Sequence, residues 1–205
     1  SANSRVFVEE EVYQQLVDRI VVLTEKLNIG DPVLRETYLG PVINQSSYQD
    51  FQTYCAELKE AGKILTGGEV YTEGDLSKGY FCKPTVAVDV PINHRLWAHE
   101  MFLPITMIHP VKDLQEAMTI ANSTKYGLTA GFYGTEDEVG WFFDNIEAGV
   151  VYANRPQGST TGAWPGFQPF GGWKGSGATG KNAGGLYYLP YYMHSLMCFL
   201  VLYKL

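Results

Sequence analysis

From Arg5 to Ala153 the chain alternates segments of helical spacing with short β-rich runs, and this alternation constrains the fold more than any other feature. Arg5 to Val8 (RVFV) predicts a strand. Glu9 to Leu27 places Val12, Leu16, Ile20, Leu23 and Leu27 at helical intervals. Acidic residues lead this helix, where the positive end of the helix dipole favours them. Asn28-Ile29-Gly30-Asp31-Pro32 ends it. The same reading predicts a helix from Ser46 to Ala61, capped by Gly62, and further helices at Asp113 to Asn122 and Glu136 to Ile146. Strands are predicted at Lys63 to Thr66, Tyr80 to Val90 (broken by Pro84), Pro104 to Val111, Thr129 to Tyr133 and Gly149 to Ala153. Such alternation points to an α/β fold with a mostly parallel sheet flanked by helices. No repeat and no linker composition interrupts the run, so no split into independent domains is expected within it.

The character changes at Asn154. Residues 154–185 contain ten of the 22 glycines. The aromatics Trp164, Phe167, Phe170 and Trp173 argue against disorder there. A long, turn-rich, aromatic-lined loop suits either a substrate site or a packed irregular surface segment, and composition alone does not separate the two.

Composition excludes several classes of function. At 205 residues, with 45% hydrophobic and 14% aromatic content, the chain can bury a core without crosslinks and is not intrinsically disordered. A net charge of −7 leaves no broad cationic face for nucleic acid. The longest apolar run, Leu196 to Tyr203, falls short of the roughly 20 residues of a membrane helix. The start SANSRVFVEEE lacks the basic and apolar segments of a secretory signal. Cys55, Cys82 and Cys198 are odd in number and widely spaced, which argues against a disulfide framework or a zinc site and for a reducing, cytoplasmic setting.

Single motifs carry little. Gly175-Ser-Gly-Ala-Thr-Gly180 matches GxGxxG, but no strand pattern precedes it and no helix pattern follows, so it reads as turn chemistry rather than a dinucleotide loop. Glu100 lies just before a strand and could accept both hydrogen bonds of a ribose diol; a solvated surface carboxylate is the commoner case. Phe102 could stack on a flat ligand, although a core Phe is commoner. His94, His99, His109 and His194 show no metal spacing and read as surface or packing residues. Cys55 and Cys82 read as structural thiols, because neither adjoins a Gly-rich turn or helix start that would lower its pKa.

Several blocks in order are more specific than any one of them. Glu100-x-Phe102-x-Pro104, Tyr126-Gly127-Leu128-Thr129-Ala130-Gly131, Gly149-Val150-Val151-Tyr152-Ala153-Asn154 and Pro169-Phe170-Gly171-Gly172-Trp173-Lys174-Gly175-Ser176-Gly177 together resemble the C-terminal, catalytic-domain half of the aldehyde dehydrogenase superfamily. The resemblance runs from residue 1 to about residue 193. Ser159-Thr160-Thr161-Gly162-Ala163 followed by Gln168-Pro169-Phe170 is similar to the anchor loop of the Δ1-pyrroline-5-carboxylate dehydrogenase branch, which oxidises glutamate semialdehyde to glutamate in proline catabolism.

The resemblance implies NAD or NADP as cofactor of the complete enzyme, with Glu100 as its ribose carboxylate and Phe102 as the stacking neighbour. It implies that backbone amides at Gly162 and Ala163 hold the substrate carboxylate, and that Phe170 lines the aldehyde pocket. The family nucleophile sits in Gly-Gln-x-Cys-Ser-Ala ahead of a strand like Ser4-Arg5-Val6-Phe7-Val8, so the catalytic cysteine is expected just before Ser1. By family order, the oxyanion-holding asparagine, the glutamate base and the Rossmann domain also lie upstream. The chain alone is therefore expected to be inactive, to bind no cofactor and to carry no metal.

Two departures stand out within the motif: Leu103 replaces a usual Gly, and His99 a usual acidic residue. The tail 194–205 also departs from the family's polar strand. The expected partners are an aldehyde substrate, a second subunit in a dimer or larger assembly and, for a split subunit, a separate Rossmann-domain chain. Two alternatives are an aldehyde dehydrogenase of another semialdehyde class and a non-catalytic split subunit or pseudoenzyme.

Overall fold

The computed structural model describes residues 3–155, 169–177 and 182–198. They divide into two compact units, Ala2–Thr124 and Lys125–Leu205. The boundary falls in a short turn, not in a Pro- or Gly-rich stretch, which is why composition gives no sign of it.

The first unit is built on a four-stranded sheet in the order β1-β4-β3-β2. Its strands are β1 (Arg5–Glu9), β2 (Lys63–Thr66), β3 (Thr85–Val88) and β4 (Ile105–Val111). β1 and β3 both run parallel to β4, and β2 runs antiparallel to β3. Mostly parallel is thus the arrangement found, with one antiparallel edge strand. β1 forms the other edge, and its register joins Arg5 to Met107 and Glu9 to Val111.

Side chains alternate across this sheet with period two, and they build two separate apolar clusters. Val8, Val86, Val88 and Ile108 form one apolar cluster with Val17 of α1 (Glu10–Glu25). Ala87, Ile105 and Met107 form the other with Phe51, Cys55 and Leu58 of α2 (Gln45–Ala61). Phe51, Cys55 and Leu58 follow at i, i+4 and i+7, the spacing that puts them on one helix face. Asn44 caps α2 by accepting a hydrogen bond from the Ser47 amide at 2.8 Å. Asp113 does the same at 2.8 Å for Glu116 at the start of α3 (Leu114–Asn122).

α1 forms where the spacing places it, but it packs through a different stripe. Tyr13, Val17, Ile20 and Val21 meet the sheet. Val12, Leu16 and Leu23 are 50%, 37% and 61% exposed. The predicted strand from Tyr80 to Val90 shortens to Thr85–Val88, because Pro84 cannot donate to a ladder; Cys82 keeps only an isolated bridge to Val70.

The second unit contains β5 (Thr129–Phe132), α4 (Glu136–Asn145) and β6 (Val150–Ala153), with β5 and β6 parallel. Phe132 and Phe142 stack at 5.0 Å between strand and helix. At the start of α4, Glu138 accepts from both the amide and the hydroxyl of Thr135 at 2.7 Å. Gly149 must be glycine: a Cβ there would sit 2.0 Å from the Gly171 carbonyl oxygen. At the end of β6, Asn154 takes a left-handed backbone (φ 49°). Its side chain accepts from the Gly134 amide at 3.0 Å and donates to the Gly134 carbonyl at 2.8 Å, adding one rung beyond the backbone ladder. No helix among the described residues is long and apolar enough to cross a membrane.

Candidate functional site

The candidate cofactor residues lie on the irregular segment between β3 and β4. It begins with a short 3-10 turn, Arg95–Trp97, in which His94 accepts from the Leu96 amide at 3.4 Å. Leu96 and Trp97 are buried at the turn's inner side. The Trp97 indole donates to the Val90 carbonyl at 3.3 Å. Its ring stacks on Phe7 of β1 at 5.7 Å and meets His109 of β4 edge-on at 5.7 Å.

The outer side of the segment rests on α2. The Arg95 guanidinium grips the Glu57 carboxylate with two hydrogen bonds, Nε to Oε2 at 2.8 Å and a second from Nη2 to Oε1. This bidentate pairing holds the Glu57 carboxyl below the usual carboxylate range and raises Arg95 above its own. Arg95 also lies over the Tyr54 ring at 5.4 Å. One residue after Ala98, the His99 ring meets Tyr54 edge-on at 5.5 Å, and its Nε2 shares a hydrogen bond with the Tyr54 hydroxyl at 3.0 Å. His99 thus has a specific neighbour, and His94 and His109 have packing roles as well.

Glu100 follows directly and is exposed. Among the described residues its carboxylate has no hydrogen-bond or ion-pair partner. Met101 turns inward and is only 5% exposed, and Phe102 turns out again at 85%. Phe102 has φ 55°, a left-handed backbone that costs a bulky residue about 1–3 kcal/mol. The expectation that a core position is commoner for such a Phe therefore does not describe this one. A strained backbone that presents an aromatic ring to solvent is the kind of feature found at ligand sites. Leu103 packs against the core, so its extra bulk relative to glycine is taken up in the interior.

Of the candidate substrate residues, Gly162 and Ala163 lie outside the described residues. Phe170 belongs to the second unit, where it pairs with Ala183 through an isolated antiparallel bridge, its amide donating to the Ala183 carbonyl at 2.7 Å. Glu100 and Phe102 thus share one segment, whereas Phe170 sits in the other unit. Gly175 and Ser176, which start the GxGxxG string, lie in the 3-10 turn Lys174–Ser176, and its last three residues, Ala178 to Gly180, lie outside the described residues.

Cys55 and Cys82 are buried, and loss of hydration pushes their thiols up to about 11 and about 12. Neither can act as a nucleophile near neutral pH. Among the described residues no group of His, Cys, Asp and Glu could hold a metal ion. Sequence reasoning does not find Tyr54, Glu57, Arg95 and Trp97 as supports of this segment. Tyr54 and His99 are 45 positions apart, and nothing in local spacing announces their contact.

The comparisons with known proteins agree in direction. The family model described as "Aldehyde dehydrogenase family" matches residues 1–196. A 1-pyrroline-5-carboxylate dehydrogenase of Geobacillus sp. (strain WCH70) is 41% identical over 196 residues, covering 95% of this chain and 36% of the relative. The chain thus spans about a third of the length of the curated relatives it matches. Among solved structures, the 1-pyrroline-5-carboxylate dehydrogenase from Thermus with bound NAD superposes with a TM-score of 0.83 at 36% identity, covering 93% of this chain and 35% of that one. Proline utilization A from Bdellovibrio bacteriovorus gives a TM-score of 0.85 at 36% identity, covering 95% of this chain and 19% of that one.

Proposed function

The chain belongs to the aldehyde dehydrogenase family, and from that premise we propose that it is the catalytic-domain part of an NAD(P)-dependent enzyme that oxidises glutamate semialdehyde to glutamate. The substrate reading is supported by the relatives' names and by the resemblance of Ser159 to Ala163 to that branch's anchor loop. The cofactor reading is carried by one observation: Glu100 presents an exposed carboxylate next to a Phe102 ring held outward at φ 55°.

The chemistry suits these residues. A ribose diol offers two donors, and a carboxylate offers acceptors only, so the two oxygens of Glu100 can take both hydroxyls. Phe102 offers a flat apolar face for stacking. When bound, the dinucleotide supplies the hydride acceptor. Gly162 and Ala163 are assigned to the substrate's α-carboxylate: glycine lets the backbone approach closely, and successive free amides make an anion nest. Phe170 is assigned to the wall of the aldehyde pocket.

Residues 1–205 alone are not expected to turn over aldehyde. Cys55 and Cys82 are protonated and buried, and Cys198 lies beyond the matched residues. The nucleophile, the oxyanion-holding asparagine, the base and the cofactor domain are assigned to chain outside these residues. The three free thiols support a reducing cytoplasm as the setting.

The test follows NADH formation by the enzyme that joins these residues to its cofactor domain. Glutamate semialdehyde is expected as a better substrate than glyceraldehyde 3-phosphate, and the reverse order would overturn the substrate reading. Glu100→Ala removes charge-assisted hydrogen bonds worth about 1.5–3 kcal/mol, so the KM for NAD is expected to rise at least about tenfold. An unchanged KM would refute the role of Glu100.

The exposed stripe of Val12, Leu16 and Leu23 on α1 supports assembly into a dimer or larger species. Sedimentation of the purified chain is expected to show that species. A clean monomer at micromolar concentration would count against it.

A further inference from the structure

We propose that Tyr54 of α2 is a positioning residue for Glu100: it is the post on which the outer side of the segment Arg95–Glu100 is fixed. The inference rests on the reading of Glu100 as the cofactor's ribose carboxylate.

Three alternate residues fasten this segment, and they point two ways. Trp97 goes inward, onto Phe7 and His109. Arg95 and His99 go outward, and both rest on the same ring. Arg95 lies over the face of Tyr54 at 5.4 Å, and the His99 ring meets it edge-on at 5.5 Å. The Tyr54 hydroxyl adds its hydrogen bond to Nε2 of His99 at 3.0 Å. Glu57, one turn further along α2, locks Arg95 from below through the bidentate ion pair.

Among the described residues, nothing holds the Glu100 side chain directly. Its orientation depends on its two neighbours, His99 on the Tyr54 post and Met101 in the core. A carboxylate that must meet two hydroxyls at once gains from being held before the ligand arrives, because the ordering cost is then met by folding. Without the Tyr54–His99 contact, the last fixed point before Glu100 retreats to Trp97, three residues back. The contact is exposed, so its loss should loosen the segment without unfolding the unit.

The experiment compares Tyr54→Phe, His99→Ala and the double variant by ¹⁵N relaxation on the full chain and by NAD affinity in the enzyme that includes the cofactor domain. Tyr54→Phe keeps the ring and removes only the hydroxyl. It is expected to lower the backbone order of Ala98 to Phe102 while the thermal midpoint stays put. It is also expected to weaken NAD binding about threefold to tenfold, and the double variant should be no weaker than His99→Ala alone. Three results would overturn the proposal: unchanged order at 98–102, additive effects in the double variant, or unchanged NAD affinity where Glu100→Ala weakens it. If Glu100→Ala itself leaves NAD affinity unaltered, the cofactor reading of Glu100 fails, while the relaxation data still decide whether Tyr54 fixes the segment.

Discussion

A thiol reagent at pH 8 is expected to modify Cys198 and to spare Cys55 and Cys82 as long as the chain is folded. Cys55 and Cys82 are 2% and 1% exposed. Burial raises the Cys55 thiol to about 11, only partly offset by the Thr85 hydrogen bond and the charge of Lys59. Burial raises Cys82 to about 12, with the neighbouring Cys55 adding to it. At pH 8 the reactive thiolate is then about one part in a thousand for the first and about one in ten thousand for the second, against about one in four for a thiol at the ordinary value near 8.5. Labelling of the pair should therefore be at least about a hundredfold slower than in the unfolded chain. Mass spectrometry should count one adduct in the native state and three in denaturant. Rapid native labelling at Cys55 or Cys82 would contradict both the burial and the argument that neither is a nucleophile.

The same shifts set a pH dependence. Both thiols have folded pKa values above their unfolded ones. Their contribution to stability is complete below the unfolded value, about 8.5. It is lost as the pH rises toward 11 and 12. The chain should accordingly lose stability on the alkaline side, and a Cys55→Ser, Cys82→Ala pair should flatten that limb.

Trp97→Ala is expected to have the largest effect of any substitution near the candidate site, costing about 3–5 kcal/mol. It removes a buried ring that stacks on Phe7, meets His109 and donates to the Val90 carbonyl, so it opens a cavity and orphans an acceptor. Trp97→Phe keeps the stack and loses the donor, which should cost about 1 kcal/mol. Urea denaturation followed by circular dichroism separates the two. A loss below about 1 kcal/mol for the alanine variant would mean that Trp97 does not anchor this segment.

Much of this molecule is legible in its sequence, but unevenly. Elements with a strong period emerge within a residue or two of where the pattern puts them, as α2 does with its Gly62 cap. Which face of a helix turns inward is another matter. Both sides of α1 are apolar, so Val12, Leu16 and Leu23 look as buriable as Tyr13, Val17 and Val21, and only the sheet's geometry chooses between them. The antiparallel direction of β2 is equally silent, because alternation of helix and strand speaks for parallel neighbours. Glu100 carries no local signal and becomes a candidate only through the ordered motifs around it. Its supports, Tyr54 and Glu57, belong to a helix some forty residues earlier, and contacts made across such distances leave no imprint on local spacing.

The edge position of β1 has a consequence in time. Its neighbour in the sheet is β4, where Arg5 meets Met107 and Val8 meets Pro110. At about 5–20 residues per second, a ribosome needs about 5–20 s to make the intervening hundred residues. For that interval the RVFV strand waits without the ladder that β4 provides, and α1 is already complete without the full sheet it lies on. Chaperone capture during synthesis should therefore centre on the stretch from Arg5 to Glu25 and end when β4 emerges.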